Sequence, residues 1–148
     1  AGLNPITLDP NGAWVYFGAM HGTSVHRVRS AALRDFDLSE DELLARVERY
    51  GDKPVSDGIT IDAAGNVYVT DLNGKAVGIT RPDGSYEALV TDAMMTWPDS
   101  VAAGPDGHVW VVINQLNLSV PLSAGTDESV PPYHVGRIDA VAPLVVGR

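Results

Sequence analysis

Three polar residues recur at one position of an internal repeat, and they are the residues of this chain best suited to chemistry. Asn4, Asp57 and Asp99 each open a segment that aligns without a gap: N-P-I-T-L-D-P-N-G, D-G-I-T-I-D-A-A-G and D-S-V-A-A-G-P-D-G. Two carboxylates and a carboxamide at equivalent places offer hydrogen-bond acceptors and negative charge to anything held between them. Trp97, just before Asp99, and Asn114, at the end of the following apolar run, add an indole N–H and a second carboxamide. Of the four histidines, only His21 falls near these residues, in a loop where an imidazole can serve as general base. Serine nucleophile chemistry finds no G-x-S-x-G elbow, and neither a G-x-x-x-x-G-K phosphate loop nor an H-E-x-x-H zinc helix occurs. The chain has no cysteine, which removes thiolate metal sites and disulfides. The same polar residues have a structural alternative: side chains of this kind cap strand starts and bond to neighbouring backbone.

The elements that must position these groups are legible from the same repeat. Each aligned segment ends on a turn glycine, at Gly12, Gly65 and Gly107, and each is followed by a second apolar run containing an aromatic residue. Residues 56–90 show the full unit, with strand-forming runs at 58–61, 67–70, 76–80 and 86–90 separated by the turns D-A-A-G, D-L-N-G and R-P-D-G. Four-stranded units repeated in this way predict an all-β fold of propeller blades, with boundaries about 1–55, 56–96 and 97–148. The last unit defers its third strand to 133–138 and lacks a fourth. A closed propeller needs at least about four blades, because open edges leave backbone unpaired. The expectation is therefore half of a larger ring, completed by missing N-terminal blades or by a second copy.

One insertion, about 30–49, interrupts the β pattern. Ser39 and Glu42 have the spacing of a capping box, which predicts a helix over 40–49 with Leu43, Leu44 and Val47 on its apolar face. Strands in a blade run alternately up and down. Asn4, Asp57 and Asp99 therefore share one face with the loops 19–23, 71–75 and 114–132, while the turn glycines and the insertion lie on the other. The 114–132 loop is longer than the roughly 12–15 residues usual in compact domains and reads as a lid or a partner contact.

Composition narrows the function classes. A chain of 148 residues with 45% hydrophobic content suits one packed domain. Its net charge of −9 opposes binding to nucleic acid or to an anionic membrane. The longest apolar run, 109–113, is far short of the roughly 20 residues of a membrane span. The chain starts at Ala1 without methionine or a charged-then-apolar leader, which fits a removed signal or a missing gene start.

Several motifs, taken in order, resemble the second half of the major royal jelly/yellow family, bacterial branch: G-D-K at 51–53, S-D-G-I at 56–59, G-N-V-Y-V-T-D-L at 65–72, W-P-D-S at 97–100 and N-Q-L at 114–116. That resemblance covers nearly the whole chain. It implies a six-bladed propeller, secreted or periplasmic, binding a small organic ligand in its central channel, with Asp57, Trp97, Asp99, Asn114 and His21 around the mouth. More distantly, N-P-I-T-L at Asn4 and D-G-I-T-I-D at Asp57 are similar to gluconolactonase and regucalcin-like propellers. This second resemblance implies Ca²⁺ on Asn4 and Asp57 and a divalent-metal-dependent lactonase or related hydrolase. Ca²⁺ takes carboxylate and amide oxygens of the kind these residues carry. A scaffold that binds protein partners through the 114–132 loop is the non-enzymatic alternative.

Overall fold

The computed structural model, which describes residues 2–147, places every described strand in one of three antiparallel sheets. The first sheet contains β1 (Leu3–Leu8), β2 (Trp14–Ala19), β3 (Ser24–Arg29) and β4 (Glu48–Asp52), with the short helices α1 (Ser30–Leu33) and α2 (Glu40–Leu44) between β3 and β4. The second holds β5 (Ile59–Ile61), β6 (Val67–Asp71), β7 (Ala76–Thr80) and β8 (Tyr86–Thr91). The third has β9 (Trp97–Ala103), β10 (His108–Asn114) and β11 (His134–Asp139). Strands neighbour one another in sequence order within each sheet, so each is a meander. Stacked face to face, the three form part of a β-propeller, the all-β architecture the repeat predicts. The turn glycines after the first strands adopt positive φ in all three units, 67° at Gly12, 86° at Gly65 and 79° at Gly107, a conformation only glycine enters without steric cost.

Burial follows the two-residue period of the strands. In β6, Val67 and Val69 point to one side and join Tyr16, Val25, Ile59 and Ile61 between the first and second sheets. Tyr68 points to the other and joins Val77, Ile79, Val101, Val109, Val111 and Ile113 between the second and third. All five residues of β6 and of β7 are consequently buried. A separate cluster of Val15, Val28 and Ala32, with Leu38, Leu43 and Val47 against it, seats the insertion on the first sheet.

The insertion corrects the expected helix. Ser39 makes the full capping box, accepting from the Glu42 backbone N–H while the Glu42 carboxylate accepts from the Ser39 N–H. The helix stops at Leu44, however, and Glu48–Asp52 pairs with β3 as the outer strand of its sheet. This stretch carries charge at Glu48, Arg49 and Asp52, so it lacks the apolar alternation that marks a strand. Backbone pairing and the Arg27–Glu48 ion pair at 2.8 Å hold it there instead. Leu44, expected on the apolar face, is exposed, whereas Leu43 and Val47 are packed.

At the end of the sheets away from Asp57, Asp62 is fully buried. Its carboxylate accepts from the backbone N–H groups of Ala64 and Asn66, the Asn66 amide and the Tyr68 hydroxyl, at 2.9–3.1 Å. The Tyr68 hydroxyl in turn accepts from Val141 N–H at 2.8 Å, and Asp62 bridges to Leu144. The segment after β11 is thereby tied to the middle sheet. The outer faces of the first and third sheets remain apolar: Ile6 is 69% exposed and Val135 65%. Such faces and unpaired strand edges favour association. We expect the 148-residue chain to self-associate in sedimentation velocity, and Ile6→Lys with Val135→Lys to shift it toward monomer. A compact monomer across the concentration range would contradict this expectation.

Candidate functional site

The repeat's polar residues meet at one end of the three sheets. Asp57 precedes β5, and its backbone is set by the buried Thr70 on β6, whose hydroxyl accepts from both Asp57 N–H and Gly58 N–H at 3.0 Å. The carboxylate is then held from both sides. Asn4 on β1 donates its amide to Oδ1 at 2.5 Å, and the Trp97 indole on β9 donates to Oδ2 at 2.8 Å. Each donor comes from a different neighbouring sheet, so this one carboxylate links all three.

Asp99, two residues into β9 from Trp97, lies beside this group. Asn114 at the end of β10 donates its amide to Asp99 Oδ2 at 2.6 Å, and its own side-chain oxygen accepts from Leu116 N–H at 2.9 Å. Thr96 fixes the same corner by donating to the Asn114 carbonyl at 2.9 Å. The first strands approach closely here: a Cβ on Gly58 would fall 2.4 Å from the Asp99 carbonyl oxygen, so glycine is what allows the sheets to converge. Asp99 is held above the ordinary carboxylate range, first by burial and then by the negative charge of Asp57, with the Asn114 hydrogen bond opposing both.

His21 stands apart from this cluster. It is exposed, in the loop between β2 and β3, and with Met20, Leu72, Trp97 and Asn117 it lines a cavity of about 330 Å³. Trp97 borders the cavity and also bonds to Asp57, which places the cavity next to the carboxylates. Thr70 was not among the residues the sequence singled out. A threonine near the end of V-Y-V-T-D reads as ordinary strand, and its hydroxyl acquires a role only once Asp57 and Gly58 are folded over it.

The donors present are hard oxygens, from two carboxylates and two carboxamides, which suit Ca²⁺ rather than a thiophilic metal. Among the described residues no cluster of three or more acidic, histidine or cysteine side chains surrounds a single point. A hard cation bound at Asn4 and Asp57 would therefore complete its shell with water, substrate or additional groups.

No family model matches the chain, and no curated protein matches it in sequence. Solved structures do. A gluconolactonase from Xanthomonas campestris superposes with a TM-score of 0.65 at 17% identity, over 95% of this chain and 44% of that one. The calcium-binding protein regucalcin from Agrobacterium tumefaciens gives 0.60 at 20% identity, over 96% and 48%. A catalytically inactive variant of virginiamycin B lyase from Staphylococcus aureus, solved with quinupristin, gives 0.55 at 17%, over 95% and 42%. The chain thus spans a little under half the length of the structures it matches. At these identities the likeness establishes the propeller fold. It agrees with the gluconolactonase and regucalcin resemblance, and it lends no support to the royal jelly/yellow one.

The coupling between the two carboxylates is directly measurable. Asp57→Asn keeps the shape and removes the charge, so the Asp99 titration midpoint, followed by carboxyl ¹³C NMR, should fall while burial keeps it above the ordinary value. A group with a raised folded pKa contributes stability at low pH that is lost as pH rises through that pKa. Asp57→Asn should accordingly soften the loss of stability through the Asp99 range. An unmoved midpoint would show that the two groups do not interact.

Proposed function

We propose that the mouth formed by Asn4, Asp57, Trp97, Asp99 and Asn114 is a divalent-cation-dependent hydrolytic site for a small cyclic ester, of the lactonase class. The carrying observation is the paired carboxylates of Asp57 and Asp99 at the meeting point of three sheets, one of them raised in pKa and oriented by an amide. The gluconolactonase and regucalcin structures that share this fold support the same reading.

Asn4 and Asp57 are the residues that would hold Ca²⁺, which when bound polarises a carbonyl. The remaining roles belong to the chain's own groups. Trp97 fixes the Asp57 carboxylate and, with the cavity beside it, receives the organic body of the substrate. Asp99 accepts the proton of a water molecule that adds to the lactone carbonyl carbon. The ring C–O bond then breaks, and that proton passes to the departing oxygen to give the open hydroxy acid. A carboxylate with a raised pKa is a better proton acceptor than an ordinary one. Asn114 keeps it aimed, and the 114–132 loop that starts at this residue forms the lid. The ring around the mouth is completed by further blades or by a second copy of the chain.

A second reading, a binding protein for a small organic amine, is favoured by one observation: Trp97, which lines the cavity, also bonds the Asp57 carboxylate, so an aromatic ring and a negative charge lie beside the same space. Calorimetric titration with Ca²⁺ and a δ-lactone hydrolysis assay separate the two. For the hydrolase, Asp57→Ala should abolish Ca²⁺ binding, Asp99→Asn should lower kcat by about 100-fold or more, and chelation should stop turnover reversibly. Turnover that survives exhaustive chelation, or heat on titration with amines but none with Ca²⁺, would overturn it.

A further inference from the structure

The segment joining the first sheet to the second, residues 53–58, carries Asp57 near its end and begins on a buried lysine. Lys53 is only 4% exposed. Its ammonium donates to three main-chain carbonyls, Gly22 at 2.8 Å, Pro54 at 2.9 Å and Met20 at 3.2 Å. An ammonium has three N–H donors, so every one is matched by an acceptor. No carboxylate pairs with it among the described residues. The stem passes over Gly18, where a Cβ would fall 2.7 Å from Lys53 Cε; the missing side chain makes the room. Burying an ammonium without a counter-ion is costly, and here the return is mechanical. Two of the three acceptors, Met20 and Gly22, lie in the 19–23 loop that brings Met20 and His21 to the cavity beside Trp97. Backbone bonds run alongside, from Lys53 N–H to Thr23 and from Ser56 N–H to Met20, both at 3.0 Å.

We propose that Lys53 is a positioning residue for the mouth: its buried amino group, bonded to main-chain carbonyls on both sides, ties the 19–23 loop to the 53–57 segment, so that the cavity wall and the Asp57 carboxylate keep one relative position. The proposal rests on the reading of the mouth as the site. The titratable groups on the packed elements are His21 on the loop, Asp52 at the end of β4, Asp57 on the segment, and Asp71 and Lys75 at the adjoining turn. Burial alone pushes Lys53 down to about 8.

This supplies a signature that passive packing lacks. Opening the loop returns the amine to water, where it holds its proton to the usual higher pH. Closure is therefore penalised while the amine is protonated, and it strengthens as pH rises through about 8. Hydrogen exchange by mass spectrometry on the full chain, corrected for intrinsic rates, tests this. Protection of amides 19–24 and 54–57 should rise about tenfold between pH 7 and 9, with 67–71 unchanged. Lys53→Met, which keeps the stem and removes the titrating amine, should abolish the pH step. His21→Gln should retain the step, because the step belongs to the Lys53 amine. A flat profile in the wild-type chain, or the same step in Lys53→Met, would overturn the clamp. The expected pattern supports it even where calorimetry finds no Ca²⁺ binding, a result that would remove the hydrolase reading alone.

Discussion

The first three strands of the middle sheet are buried on both faces, and most of the structure follows from that constraint. A strand can serve two cores only if both of its alternating side-chain sets are apolar and complementary to different neighbours. In β6 the valines at 67 and 69 face the first sheet while Tyr68 faces the third. This double commitment fixes how the sheets stack, and the stacking brings the innermost strands β1, β5 and β9 together at one end. The polar residues that open those strands are then forced into one another's company. Gly58 marks the point of closest approach.

Three carboxylates in this chain show how differently the same group can be used. Asp62 is fully buried and takes four hydrogen bonds, which leaves it nothing to offer a ligand. It organises a turn and anchors the segment after β11. Asp57 and Asp99 are only partly buried, each is held by one or two side-chain donors, and the charge of Asp57 helps to raise Asp99. Like charges held together without a balancing cation raise the free energy of the site. Clefts of this kind are where perturbed carboxylates serve catalysis or cation binding.

The architecture was largely readable from the chain because it repeats. Turn glycines at matching offsets, aromatic second strands and the alternating residues of 56–90 each state a local preference that the fold satisfies. The insertion was less readable. A capping box specifies where a helix begins, and Ser39 and Glu42 specify it correctly, but nothing near Leu44 says where it ends. Glu48–Asp52 became a strand because β3 offered it an unpaired edge, a fact about a neighbour rather than about the segment. The roles of Thr70 and Lys53 were not readable for the same reason. Their side chains matter through groups distant in sequence, namely the Asp57 backbone and the carbonyls of the 19–23 loop.

The candidate site divides along the same line. The sequence by itself determined which polar residues occupy equivalent positions, that Asn4, Asp57 and Asp99 share one face, and that Trp97, Asn114 and His21 lie near it, because strand period and turn spacing are local properties. Only the tertiary structure decided that Asn4 and Trp97 both serve Asp57, that Asp99 is paired with Asn114, and that His21 shares a cavity with Trp97. Those pairings depend on the rotation and separation of one blade relative to the next. That geometry is set by side chains interlocking across two cores, and no local stretch of sequence encodes it.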